Sequence, residues 1–189
     1  GKLIDVRTPL MHDAHIKLLK WEDEGGKHAF WHTSAHLMAE ALQELYPGVQ
    51  FGIGPAIDAG FYYDIDTGDE VIKSEDLPKI EAEMKKIIKQ GHEITRFTLP
   101  REEAIKFMKE KDEPYKVELI EELPEGEEIS FYDQGGFVDL CAGPHLMSTK
   151  GVKAFKLTSS SMAYWRGDSN KARLHRIYGT AYNKKEDLK

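Results

Sequence analysis

Apolar residues recur at helical spacing early in the chain. Met38, Ala41, Leu42 and Leu45 stand at i, i+3, i+4 and i+7, and Pro47-Gly48 closes the run. His32, His36 and Gln43 lie to one side of that stripe, which puts the two histidines one turn apart near the helix start. The pattern predicts a second helix with Ser74 as N-cap, Leu77, Ile80, Met84, Ile87 and Ile88 as its stripe and Gly91 as its stop. A third begins after Pro100 and runs through Ala104, Ile105 and Met108. "QFGIGPAIDAGFYYDID" (50–66) predicts two strands around a tight turn, and "EELPEGEE" (121–128) an acidic loop. "ISFYDQGGFVDLCAGPH" reads as strand, glycine turn, strand and loop, with two late strands in "AFKLTSSSMAYWRG" and "RLHRIYGTAY". Helices and strands come in mixed order without βαβ alternation. The expected fold is therefore α+β, with a mainly antiparallel sheet packed with helices. Residues 1–24 hold too few apolar positions for a domain and end at Gly25-Gly26, as a short tail would.

Composition narrows the class. A chain of 189 residues with 40% hydrophobic and 31% charged residues can bury a real core and looks globular. No apolar run approaches the roughly 18–20 residues that span a bilayer, and charges through the first thirty residues argue against a signal peptide. The single cysteine excludes an internal disulfide framework. A cytoplasmic protein without a membrane partner is expected. The net charge of −7 argues against a nucleic-acid partner until its distribution is read. Ten Lys or Arg between Lys150 and Lys189, against Asp168, Glu186 and Asp187, make that segment +7 and leave −14 for the rest. Such a segment is either a phosphate-facing patch, with Arg166, Lys171 and Arg173 as candidates, or a solvated basic tail.

The candidate chemistry lies in two motifs more than a hundred residues apart: "HTSAH" (32–36) and "CAGPH" (141–145). Together His32, His36, Cys141 and His145 supply a full tetrahedral nitrogen and thiolate set for zinc. Thr33 stands where the HExxH metalloprotease pattern needs its glutamate, so that chemistry is excluded. Two other readings stay open. Cys141 and the histidines can simply fill a core, or the imidazoles can polarise a water without metal. In the last case Asp139, on the same strand face as Cys141, would orient an imidazole. Lys116 would meet a phosphate or an oxyanion, unless it is ordinary solvated surface. "GIGP" (52–55) lacks the Lys-Ser/Thr of a phosphate loop and reads as a close-approach wall.

"HTSAHLMAEAL", "IGPAIDAGFYYDID", "VDLCAGPH" and "YWRGDSNKARLHRIYGTAY" occur in this order, and jointly they resemble the amino-terminal editing domain of bacterial threonyl-tRNA synthetases. The resemblance covers roughly residues 25–182, with residues 1–24 similar to the exit from a small ubiquitin-like module and 183–189 to the start of a linker. It implies an editing domain of the threonyl/alanyl-tRNA synthetase type, excised from the class II aminoacylation domain that would hold ATP and zinc. The implied activity is hydrolysis of serine wrongly esterified to threonine tRNA. Serine lacks one methyl group of threonine, and a single methylene discriminates by only about 1–3 kcal/mol, so a second site is needed.

Carried onto this chain, the resemblance places His32, His36, Cys141 and His145 in one pocket, with Lys116, Asp139 and Tyr63 around the substrate. Gly54 and Pro55 would lie near the terminal adenosine. It implies water rather than zinc in the cluster, no required cofactor, the acceptor end of tRNA(Thr) as partner, and a homodimeric parent enzyme. His175 departs from the family pattern, where a glutamine is expected. The rival reading is an acceptor-end binding module whose His/Cys cluster is structural or holds zinc.

Overall fold

The computed structural model describes residues 1–188. The first helix, α1 (Glu24–Leu45), is longer than its apolar stripe suggests. Gly25 and Gly26 lie inside its first turn rather than ahead of it, and a Cβ on Gly26 would stand 1.8 Å from the Lys20 carbonyl oxygen, so that close approach needs glycine. A larger sheet then forms from β1 (Gln50–Phe51), β2 (Ala56–Ile57), β3 (Gly60–Asp66), β7 (Ala154–Tyr164) and β8 (Arg173–Tyr182). Its order is β1-β3-β8-β7, with β2 also paired to β3. A smaller sheet has the order β4-β5-β6, from Ile94–Thr98, Ser130–Gln134 and Phe137–Leu140. Every pairing is antiparallel, and the fold is α+β as expected.

The other helices are α2 (Leu77–Gln90), α3 (Arg101–Glu110) and α4 (Pro114–Glu122). Helix α2 ends at Gly91 in the left-handed region, φ 66°, as expected of a C-cap glycine. Ser74 does not cap it; Ser74 opens a short 3-10 turn, and Asp76 occupies the N-cap position with no side-chain cap bond. Helix α4 has no counterpart in the apolar pattern. Its stripe is short, Val117 and Ile120 inside a charged stretch, and Pro114 in its first turn sets the start.

Two large cores, and a small cluster of Ile94, Tyr132 and Cys141, organise the described residues. Leu37, Met38, Ala41 and Leu42 of α1 pack with Ile80 and Met84 of α2 on Phe61, Tyr63, Ile65 and Ile177 of the larger sheet. Ala104, Met108, Val117, Ile120 and Phe131 fill the space between α3, α4 and the smaller sheet. Trp31 of α1 donates its indole N–H to the Ala181 carbonyl at 2.8 Å, fixing the helix across β8. Helix α1 thereby carries its histidines toward the end of β6, where Cys141 begins a loop. Among the described residues, no helix is long and apolar enough to cross a membrane.

Candidate active site

The four side chains of the two motifs meet. Cys141 Sγ lies 3.3 Å from His32 Nε2 and 3.2 Å from His145 Nε2. The rings of His32 and His36 are 5.7 Å apart, and those of His36 and His145 4.4 Å. One ligand atom from each of the four lies within 4.8 Å of the others. His36, Cys141 and His145 are buried, whereas His32 is half-buried and forms the open side of the cluster. The loop is held from several directions. Tyr132 stacks on the His145 ring at 4.0 Å and 14°, and the Leu146 N–H donates to Thr33 Oγ1 at 2.9 Å. Asp5 accepts from the His145 N–H at 2.9 Å and also from the Tyr132 hydroxyl. Gly143 has φ 73°, and a Cβ there would stand 2.0 Å from the Tyr132 hydroxyl oxygen, so only glycine fits.

Beneath the cluster runs a buried polar network. Lys116 Nζ is 3.0 Å from Asp139 Oδ1 and donates to the Tyr63 hydroxyl at 2.8 Å. The Tyr63 hydroxyl donates in turn to Asp139 Oδ2, which lies 3.5 Å from His36 Nε2. The side chains of Lys116 and Asp139 are each only 4% exposed, so the solvated-surface reading of Lys116 does not hold. Gly54 crosses the face of Tyr63, where a Cβ would come within 2.3 Å of the ring, and the Tyr62 N–H donates to the Pro55 carbonyl at 3.3 Å. That segment is therefore the close-approach wall the glycines suggest. His175 lies in the larger sheet, with its Nε2 accepting from the Ile72 N–H at 3.3 Å; it is a packing residue away from the cluster.

Burial sets the chemistry of these groups. It pulls the His32 imidazole down to about 4, and His36 and His145 well below their ordinary range. All three rings are neutral at pH 7, but as weak bases rather than bases tuned near 7. Burial pushes the Cys141 thiol up to about 12, which leaves little thiolate to act as a nucleophile. These imidazoles bind protons more readily unfolded than folded, so their stabilising effect is full above about 6.5 and falls as pH drops through the window toward 4. Nitrogen NMR of the metal-free protein at pH 5.5 should show three imidazoles still neutral; protonated signatures for His36 and His145 there would contradict the burial argument.

Nδ1 of His36 and Nδ1 of His145 are buried without a hydrogen-bond partner among the described residues. With one thiol and three imidazoles converging, the set fits a zinc ion by donor type and spacing. A bound zinc would act as a Lewis acid and bring the pKa of a bound water to about 7.

The basic residues fall elsewhere. Arg166 pairs with Glu118 at 3.4 Å and with Glu122, and Lys171 reaches Glu118 at 3.5 Å. Counting charge along residues 150–189 misses this, because the neutralising carboxylates come from α4. Arg173 is exposed and makes no ion pair among the described residues. Lys189, which the charge count includes, lies outside them.

Residues 129–178 match the model of the threonyl and alanyl tRNA synthetase second additional domain. Over 188 residues and the whole of this chain, it is 58% identical to Threonine--tRNA ligase of Acetivibrio thermocellus and 57% identical to that of Caldanaerobacter subterraneus subsp. tengcongensis. The Clostridium botulinum enzyme of the same name is 59% identical over the same span. Along its whole length the chain is similar to threonyl-tRNA synthetases. It spans 29% of the length of these relatives. The domain match includes Cys141 and His145, while His32 and His36 on α1 lie outside it.

Proposed function

We propose that this chain hydrolyses the ester of serine wrongly attached to tRNA(Thr), acting as the editing part of a threonyl-tRNA synthetase. The observation that carries this reading is the convergence of three neutral imidazoles and a thiol over a buried Lys116–Asp139–Tyr63 network. Ester hydrolysis needs a positioned water, a proton acceptor and a group that meets the developing oxyanion. The unpartnered ring nitrogens and the open edge at His32 offer acceptors for the water.

In this reading water attacks the ester carbonyl, and an imidazole takes its proton as charge builds on the substrate. The bond to the ribose oxygen breaks, that oxygen receives the proton, and free serine leaves. Desolvation makes the resting imidazoles poor proton holders, so transfer is coupled to attack. The Asp139 carboxylate, 3.5 Å from His36, orients that ring, and its charge favours the imidazolium that forms transiently at His32. Lys116 meets the substrate carbonyl or amino acid from the floor of the pocket, and Tyr63 with Gly54 and Pro55 forms its wall. None of these steps requires a metal. Arg166, Lys171 and Arg173 are proposed contacts to the tRNA backbone, with unpaired Arg173 contributing most. A binding-only module with a zinc-holding cluster is the competing account, favoured by the fit of the donor set. Incubating substoichiometric protein with seryl-tRNA(Thr) separates them: repeated serine release supports hydrolysis, while saturable binding without release overturns it.

A further inference from the structure

One buried carboxyl stands beside this machinery without a role in it. Glu113 is 8% exposed, occupies the N-cap position of α4 and precedes Lys116 by one turn. Its Oε2 accepts from the Phe51 N–H of β1 at 2.9 Å. Its own N–H donates to the Met108 carbonyl of α3 at 3.0 Å, and its carbonyl accepts from the Val117 N–H at 3.1 Å. One residue thus ties α3, β1 and the first turn of α4 together.

Lysine carries its ammonium on a flexible four-carbon stem, so where that charge sits depends on how firmly its backbone is held. A cavity of about 240 Å3 opens beside the tie, lined by Glu113, Asp139, Phe51, Phe137, Met108 and Lys111. The first turn of α4 therefore has room to move if the bond to Phe51 is lost.

We propose that Glu113 is a positioning residue, whose side-chain oxygen on the Phe51 N–H holds α4 so that Lys116 reaches Asp139 and Tyr63. Its catalytic consequence rests on the hydrolytic reading above. Burial pushes this carboxyl up to about 7, with Asp139 and Asp112 adding to the rise and the Phe51 N–H and Lys116 opposing it. The contact itself is one N–H bond at 2.9 Å, which an uncharged acceptor of the same reach can also make.

Two variants separate reach from charge. Glu113→Gln keeps the acceptor and loses the charge; Glu113→Asp keeps the charge but is one methylene too short. Glu113→Gln should retain near wild-type seryl-tRNA hydrolysis, whereas Glu113→Asp should lose roughly 10–100-fold in kcat/KM, the scale of a small misplacement. In a Lys116→Met background Glu113→Asp should add little, because both changes act through one ammonium. Reductive methylation read by mass spectrometry gives a measure independent of turnover. Lys116 should be protected in the wild type and in Glu113→Gln, and modified in folded Glu113→Asp. Equal losses in the two variants, full additivity with Lys116→Met, or continued protection in Glu113→Asp would overturn the proposal. A wild-type chain that labels as expected but hydrolyses nothing would sink the hydrolytic reading while leaving the positioning intact.

Discussion

Replacing His32 with alanine is expected to remove most seryl ester hydrolysis, by about 100-fold or more in kcat, the scale of a lost general base. The fold should survive. His32 is half-buried at the open side of the cluster, and its contacts are to Cys141 and to neighbouring imidazoles rather than to the main core. The loss should thus appear in the rate, with the unfolding midpoint close to that of the wild type. Cys141→Ser should also impair hydrolysis, without accumulating a covalent intermediate, because a thiol pushed up to about 12 is a poor nucleophile at neutral pH. Full activity in His32→Ala, or a seryl-cysteine adduct recovered from the wild type, would show that the roles are divided differently.

A different signature is expected at Asp139. Its carboxylate is the counter-charge to Lys116 at 3.0 Å in a site where both side chains are 4% exposed. Removing one member of a buried pair strands the other, at a cost of about 3–5 kcal/mol. Asp139→Ala should therefore destabilise the fold as well as abolish activity. The double replacement Asp139→Leu with Lys116→Met removes both charges and should recover much of the stability but none of the activity. Urea unfolding decides this: equal destabilisation in the single and double variants would mean that the stranded ammonium is not what weakens the fold.

The sequence pattern and the observed structure agree where local chemistry is strong. The stripes of α1, α2 and α3, the glycine stop at Gly91 and the Gly135-Gly136 turn between β5 and β6 follow from periodicity and turn residues that need no distant partner. Helix α4 is hidden because its amphipathic signal spans barely two turns, and its key residue, Lys116, is buried only through Tyr63 and Asp139. The four motif residues are legible as a ligand set, yet the groups that hold them are not. Thr33 reads in the sequence only as a missing glutamate, but its hydroxyl accepts from the Leu146 N–H. Tyr132 and Asp5 meet His145 from positions with no motif around them, and Gln134 fixes α1 by donating to the His36 carbonyl at 3.3 Å and to Glu40 at 3.0 Å. Such contacts join residues far apart in the chain and leave no spacing to read. The basic segment shows the opposite error, since a sum along the chain ignores the α4 carboxylates that Arg166 and Lys171 meet.

Single-turnover deacylation decides between a serine-selective ester hydrolase built from these side chains and a module that only binds. Chelator-treated protein in excess should be mixed with seryl-tRNA(Thr) and, separately, with threonyl-tRNA(Thr). Serine should be released rapidly and threonine more slowly, by roughly 10-fold or more, the scale set by one methyl group in a closed pocket, and neither rate should depend on added zinc. Equal rates on the two esters, or no release of serine above the spontaneous rate, would overturn the hydrolytic reading.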